Sequence, residues 1–374
     1  MRVLFLSHRF WPSIGGREIF GSQLACSLQD RGFQMMVLAN GDGGLSSTAE
    51  YKGIPIKRLP LSDALIERDL DKLMEVRRRL IDIKRAFLPD LIHIHGFDAS
   101  IAFFHFETSD TCRTPLLVTL TEEAVGFGID KDLFRRTLRS SNWITSKSSL
   151  VLARAYDSMP EIASRSCVIE NGIKCPTLAP TSLPTNSPTL LCLGRLVPQK
   201  GFDLAVTALA SIVERFPQVR LILAGDGTVR QVLERQIAEL GLVDHVEFRG
   251  WIAPDEVPAL MNEATIVVLP SRWEGLPSVA LQAAMMARPI VATRVGGIPE
   301  VVVHQETGLL VEPEDVSALA AAIAFLLMSP EIAVEMGSTG RRRVQEVFGW
   351  DKCVGEYEDL YRQLARHGER RELV

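Results

Sequence analysis

A chain of 374 residues with 47% hydrophobic content can bury a large core, and its length favours two domains over one. With 41 basic and 46 acidic residues the net charge is −5, which removes any global electrostatic reason to bind nucleic acid and confines an anion site to a local cluster. The six cysteines are scattered without a CxxC pair, the apolar run in MRVLFLSHRF is too short for a signal-peptide core, and no apolar stretch reaches membrane-spanning length, so a cytoplasmic protein without structural zinc is expected.

The first strand candidate is RVLFLS. After it comes HRFWPSIGGREIF, where Gly15 and Gly16 precede a helix whose Phe20, Leu24 and Leu28 recur at four-residue spacing. Paired glycines let a ligand approach the backbone, and the helix N-terminus favours a phosphate; an ordinary turn is the alternative reading. The strand candidates MMVLA, DLIHIH, PLLVTL, NWITS and CVIEN follow, separated by helix-like segments. Between them, KLMEVRRRLIDIKRAF combines Arg77, Arg78, Arg79, Lys84 and Arg85 with Leu73, Val76, Leu80, Ile83 and Phe87. It reads either as a basic face resting on anionic lipid or as a surface helix packed on the sheet and salted by Glu75 and Asp82. His93 and His95 share one face of a strand, but two ligands are too few and no carboxylate spacing completes a set, so no metal is expected.

Residues 176–188, PTLAPTSLPTNSP, resist helix and read as a semi-extended connector. The boundary is set there: a first domain over 1–178, a second over 179–348, and a helical terminal segment over 349–374. The second domain repeats the strand pattern with LLCLG, RLILAGDG, HVEFRG, TIVVLP and PIVAT. Apolar runs alternating with helices suit parallel strands buried on both faces, so two doubly wound α/β domains are expected, with ligands beyond the carboxyl ends of the strands. There LGRLVPQKGFD places Arg195 just after a strand and Lys200 just before a helix, two cations suited to a diphosphate or a solvated surface pair. AGDG, with Gly225, makes a tight turn on the same rim. In PSRWEGLPSVALQAAM, the Gly275 and Leu276 amides can face an anion, Glu274 can accept from hydroxyls, and Gln282 can reach the same ligand from the following helix. VGGIPE supplies a further glycine pair, and nothing fits GxGxxG or GxxxxGK[ST].

From Leu190 onward, GRLVPQKG, LAGDG, FRGWI, PSRWEGLP and PIVATRVGGIPEVV resemble the nucleotide-binding domain of glycosyltransferase family 4, the group 1 retaining enzymes of the GT-B fold. PSIGGREIF, PDLIHIHG and ENGI extend the resemblance more loosely to the first domain. It implies two Rossmann-like domains facing each other across a cleft, with the terminal helix crossing back onto the first. It also implies metal-independent, retaining transfer of a hexose-type unit from a nucleoside diphosphate sugar, UDP-linked in preference to GDP-linked, to a hydroxyl of a glycan, glycolipid or small molecule. No cofactor beyond that cosubstrate is implied. By similarity Arg195 and Lys200 bind the diphosphate and stabilise its developing charge, Gly16 lies beside it, Trp251 and Ile252 meet the nucleobase, and Glu274 contacts the donor sugar as the first glutamate of an E-x7-E pattern. The second glutamate falls at Gln282, beside the ribose. His95, Thr121 and Asn171 are candidates for the acceptor side or the donor sugar, His95 being expected to face the acceptor. Thr121, followed by Glu122 and Glu123, stands where the family usually has histidine, and Lys174 where it often has aspartate. These departures keep a second reading open, a non-catalytic GT-B protein that binds a nucleotide or a partner enzyme. The basic helix leaves room for peripheral contact with the inner face of a membrane.

Overall fold

The apolar runs become two predominantly parallel sheets. The computed structural model describes residues 1–13, 15–41, 44–109, 114–121 and 131–369, so Glu122 and Glu123 lie outside the described residues. The chain divides into two units, Met1–Asn171 with Asp351–Val374, and Gly172–Trp350.

The first unit runs β1 (Arg2–Ser7), α1 (Gly16–Asp30), β2 (Gln34–Asn40), β3 (Thr48–Tyr51), β4 (Ile54–Leu59), α2 (Leu61–Glu67), α3 (Leu70–Phe87), β5 (Leu91–His95), α4 (Ala99–Phe106), β6 (Leu116–Leu120), α5 (Lys131–Ser140), β7 (Trp143–Ser146), α6 (Ser149–Ser158) and β8 (Ser166–Val168). Its strand order is β3-β4-β2-β1-β5-β6-β7-β8, parallel except for the antiparallel β3–β4 pair. The second unit runs β9 (Thr189–Leu193), α7 (Phe202–Val213), β10 (Arg220–Ala224), α8 (Arg230–Glu239), β11 (Val246–Gly250), α9 (Val257–Glu263), β12 (Ile266–Leu269), α10 (Ser278–Met285), β13 (Ile290–Thr293), α11 (Ile298–Val301), β14 (Gly308–Val311), α12 (Val316–Met328) and α13 (Pro330–Val347). Its six strands are ordered β11-β10-β9-β12-β13-β14, and α14 (Trp350–Glu369) closes the described chain.

The period-two geometry of a strand explains why the inner runs of the second domain are apolar on both faces, while edge strand β11, VEFRG, alternates with exposed Glu247 and Arg249. Leu190 and Cys192 of β9, with Leu221 and Leu223 of β10, enter one core with α7 and α12. Leu191, Ile222 and Ala224 enter the other, with α9 and α10. In each sheet the central strand has later strands on both sides: β1 sits between β2 and β5, and β9 between β10 and β12. The loops leaving β9 and β12 therefore diverge at a switch point, where such sheets open a crevice.

Three expectations need correction. The proline-rich segment is strapped to the second unit, and the division falls at Asn171 rather than at 178. Buried Arg288 donates to the Thr181 carbonyl and, at 3.0 Å, to that of Ala264, while Asn262 Nδ2 donates to the Ala179 carbonyl at 3.0 Å. The hairpin β3–β4 and strand β14 went unread: Lys57 and Arg58 interrupt β4, and β14 is only the short run GLLV. In α3, Lys84 points inward instead of joining a basic surface, and its ammonium donates to Thr108 Oγ1 at 2.7 Å. Arg77 donates to the Glu107 carbonyl and Arg79 pairs with Glu75, so the helix matches the packed surface reading more closely than the lipid-facing one.

Helix α14 is joined to the first unit's sheet by buried polar groups. Tyr361 Oη lies 2.6 Å from His93 Nδ1, His93 Nε2 lies 2.7 Å from Thr119 Oγ1, and Thr119 Oγ1 lies 2.7 Å from Thr145 Oγ1. Burial, then the charge of Lys147, pushes the His93 imidazole down to about 3, so it is neutral and presents one donor and one acceptor. Arg31 adds an ion pair to Glu358 at 3.0 Å. Tyr361→Phe leaves His93 Nδ1 buried without a partner and is expected to destabilise the protein by about 1–3 kcal/mol, read from the urea midpoint. An unchanged midpoint at unchanged slope would mean that this hydrogen bond does not hold the helix.

Candidate functional site

The densest group of predicted residues sits at the switch point of the second unit. Arg195 and Lys200 follow β9, and Glu274 follows β12. Lys200 Nζ donates to Glu274 Oε1 at 2.5 Å, and Ser271 Oγ donates to the same oxygen at 2.7 Å. Only 17% of the Lys200 side chain and 6% of the Glu274 side chain are exposed, so this is a largely desolvated pair. Glu274 Oε2 has no partner among the described residues, and an ammonium bonded once keeps two further N–H donors. Arg195 is exposed, and its guanidinium makes no hydrogen bond among the described residues. The group thus offers two cations to an anion and one carboxylate oxygen to a hydroxyl.

Backbone contacts fix these loops. Gly201 has φ +62°, and a Cβ there would lie 2.0 Å from the Pro270 carbonyl oxygen, so the lysine loop is seated against the end of β12. Gly296, at φ +54°, lies against the Glu274 backbone, where a Cβ would stand 1.7 Å from the carbonyl oxygen. Gly297 N donates to the Gly275 carbonyl at 2.5 Å, so VGGIPE serves as a backstop for the Glu274 turn. The Gly225 amide already donates to the Gly250 carbonyl at 2.6 Å and is taken up within the fold. Leu276 is buried, Gln282 is half-buried in α10, Trp251 is 58% exposed, and Ile252 packs against the core beneath it.

In the first unit Gly15 is the extended residue before α1, and a Cβ on it would meet the Glu18 carboxylate at 2.3 Å. Gly16 is the first residue of α1, so a carboxylate already stands over the helix start expected to hold phosphate. His95 does not face outward: it is fully buried, with ring centroids 5.2 Å from Phe5 and 5.6 Å from Phe20, and Lys147 Nζ lies 4.3 Å over the far side chain of that stack, Phe20. Burial, followed by the charges of Lys147, His93 and Arg17, lowers the His95 imidazole well below its ordinary range, so it is neutral. His93 and His95 share one face, as their period-two spacing requires, but that face is the core beneath α1 and α14. Thr121 is nearly buried beside Gly96, where a Cβ would lie 3.2 Å from Arg17 Cδ and 3.4 Å from Thr121 Oγ1. Asn171 is buried, and its Oδ1 has no partner among the described residues. His8 Nδ1 lies 2.9 Å from Oδ2 of Asp98, the residue whose side chain caps the start of α4. Lys174 Nζ rests 5.2 Å over Trp350.

Two participants escaped the sequence reading. Ser271 shares the Glu274 oxygen, and its position three residues earlier was a usable signal, since short hydroxyl side chains commonly bond within such turns. Lys147 had none: its place beside Phe20 depends on the pairing of distant strands.

The profile described as glycosyl transferases group 1 matches residues 178–343, and that of the glycosyl transferase 4-like domain matches residues 15–158. A GDP-mannose-dependent α-(1-6)-phosphatidylinositol monomannoside mannosyltransferase of Mycobacterium tuberculosis is 39% identical over 182 residues, 47% of this chain and 47% of that protein, so the match spans about half the length of this relative. A glycogen synthase of the same species is 28% identical across 99% of this chain and 96% of its own. Among solved structures, a sucrose-phosphate synthase from Thermosynechococcus elongatus superposes with a TM-score of 0.83 at 25% identity, covering 97% of this chain and 98% of that one. Anabaena HepE in complex with UDP-glucose gives a TM-score of 0.80 at 22% identity, over 97% of this chain and 100% of the other.

Gly296 and Gly241 allow a controlled test of the backstop. Both have positive φ, +54° and +68°, but a Cβ at Gly241 meets nothing within 4 Å. Gly241→Ala should cost about 1–2 kcal/mol from backbone strain alone. Gly296→Ala should cost more and also weaken binding of nucleoside diphosphate, because the Glu274 backbone must move. Equal melting temperatures for the two variants would show that the contact does not hold the turn.

Proposed function

The chain belongs to the group 1 glycosyltransferases of family 4, with the GT-B fold, and from that premise we propose that it is a retaining, metal-independent enzyme moving a sugar from a nucleoside diphosphate donor to a hydroxyl acceptor. The observation that carries the proposal is the Lys200–Glu274 pair beside the open guanidinium of Arg195. Lys200 and Arg195 take the diphosphate, Glu274 Oε2 accepts a hydroxyl of the donor sugar, Trp251 offers its exposed ring to the nucleobase, and Gln282 reaches the ribose. The bond from C1 of the sugar to the phosphate oxygen breaks while the acceptor oxygen bonds C1 from the same face. The acceptor proton passes to the departing phosphate. Charge grows on the diphosphate as it leaves, and two fixed cations stabilise it there.

A UDP-linked donor is favoured by the neighbours bound to UDP and UDP-glucose, while the mannosyltransferase relative, named for GDP-mannose, makes GDP-linked donors the comparison arm. Among the described residues no single helix is long and apolar enough to cross a membrane. Three of the α3 cations that suggested peripheral membrane contact, Arg77, Arg79 and Lys84, are engaged within the protein. A non-catalytic nucleotide-binding protein is the second reading, favoured by Thr121 and Gln282.

Release of nucleoside diphosphate from a panel of UDP- and GDP-sugars, with glycan and lipid acceptors, decides between the two readings. The native protein should consume at least one donor with retained anomeric configuration, and Glu274→Ala should abolish that turnover. Turnover surviving the substitution would reveal a contaminating hydrolase, and silence across the panel despite tight nucleotide binding would favour the second reading. Lys200→Ala and Arg195→Ala should each weaken diphosphate binding by about 1.5–3 kcal/mol in calorimetric titration, the range for hydrogen bonds to charged groups. Gln282→Glu should tighten binding of ribose over deoxyribose diphosphates, since a carboxylate accepts from both hydroxyls; equal discrimination by the two forms would detach Gln282 from the ribose.

A further inference from the structure

Arg272 lies two residues before Glu274 and holds four groups at once. Its guanidinium forks onto Asp203 at 2.9 and 2.8 Å, reaches Glu314 Oε1 at 2.7 Å, and donates to the Pro198 carbonyl at 2.8 Å. Its backbone amide donates to the Gln199 carbonyl at 2.8 Å, and Gln199 Nε2 returns a bond to the Trp273 carbonyl at 3.0 Å. Pro198, Gln199 and Lys200 form a single 3₁₀ turn between β9 and α7, and Asp203 lies in the first turn of α7. The loop that carries Lys200 is thus tied on both sides to the loop that carries Glu274.

We infer that Arg272 is a positioning residue that fixes the separation of Lys200 and Glu274 and so prepares the diphosphate and sugar contacts together. Stability alone does not account for the arrangement. Asp203 and Glu314 are 39% and 57% exposed, and exposed ion pairs add little to stability. A planar fork with two carboxylates and a carbonyl, by contrast, specifies geometry, and a misplacement on the order of 1 Å at a reacting centre can cost as much as 10²-fold in rate. Lysine keeps the charge but loses the fork, so the two roles are separable.

The inference rests on the proposed donor chemistry, and the test distinguishes the two. Arg272→Lys, Asp203→Asn and the double variant are compared with the native protein in thermal melts, in calorimetric titration with UDP and GDP, and in turnover of whichever donor the native protein consumes. Arg272→Lys should lower kcat at saturating donor by about tenfold or more and leave the acceptor KM unchanged. It should also weaken diphosphate binding, with a melting temperature close to native. Asp203→Asn should reproduce the loss, and the double variant should be no worse than the more impaired single one, the mark of one coupled unit. Native kcat and native diphosphate affinity in Arg272→Lys, or losses that simply multiply in the double variant, overturn the clamp while leaving the transferase reading intact. A native protein that binds neither UDP nor GDP overturns both, because the clamp would then have no anion site to hold.

Discussion

A lysine ammonium and a glutamate carboxylate withdrawn together from water are tolerable only if they meet with good geometry, because the desolvation cost of each ion is several kcal/mol. Lys200 and Glu274 satisfy that condition at 2.5 Å, with Ser271 as a second donor to the same oxygen. Much of the second unit's rim follows from it. The two residues come from loops leaving different strands, so neither loop can set the distance alone. Gly201 brings one loop against the end of β12, Gly296 backs the other, and Arg272 joins the two. Where side chains would keep the chains apart, the sequence places glycine.

The first unit solves a different problem, the burial of imidazoles and hydroxyls under a terminal helix. His93 is satisfied by Tyr361 and Thr119, while His95 relies on stacking between Phe5 and Phe20, with no hydrogen bond to its ring nitrogens among the described residues. Both are neutral for the same reason, burial reinforced by Lys147. A neutral ring stacked between Phe5 and Phe20 is a packing element of the core.

What could be read in advance follows from the range of each signal. Strands β9, β10, β12 and β13 of the second sheet were legible because both faces of each run enter a core, whereas the edge strand β11 alternates exposed Glu247 and Arg249 with half-buried Val246 and Phe248. Arg195, Lys200 and Glu274 were legible because carboxyl-end loops expose their charges and a short local motif names each one. The ion pair between two of them was not, since it depends on β9 lying beside β12, a long-range pairing. His95 misled for a related reason: a histidine at a strand end reads as a ligand until the helix covering it is known. The proline-rich segment was read by composition alone, which describes its stiffness but not the buried Arg288 that binds it to the second unit. Strand β14 carried too few residues to show a period.

The pairing of Lys200 with Glu274 also bears on how a donor would be recognised. A lysine free in solvent samples many rotamers and loses that freedom when it binds phosphate. Held by Glu274, Lys200 has already lost it, and its two remaining N–H donors point from a fixed place. The same bond orients Glu274 so that Oε2 is the oxygen left for a hydroxyl. Diphosphate and sugar contacts are then not independent. A ligand that displaces the carboxylate from the ammonium loosens the phosphate contact, and one that draws the ammonium toward phosphate shifts the carboxylate. Under the proposed chemistry, a donor carrying both groups at the correct spacing leaves the pair undisturbed, whereas a bare diphosphate or a bare sugar engages only half of it. Under that chemistry, selectivity for the intact donor over its fragments would arise from an ion pair within the protein as much as from contacts to the ligand.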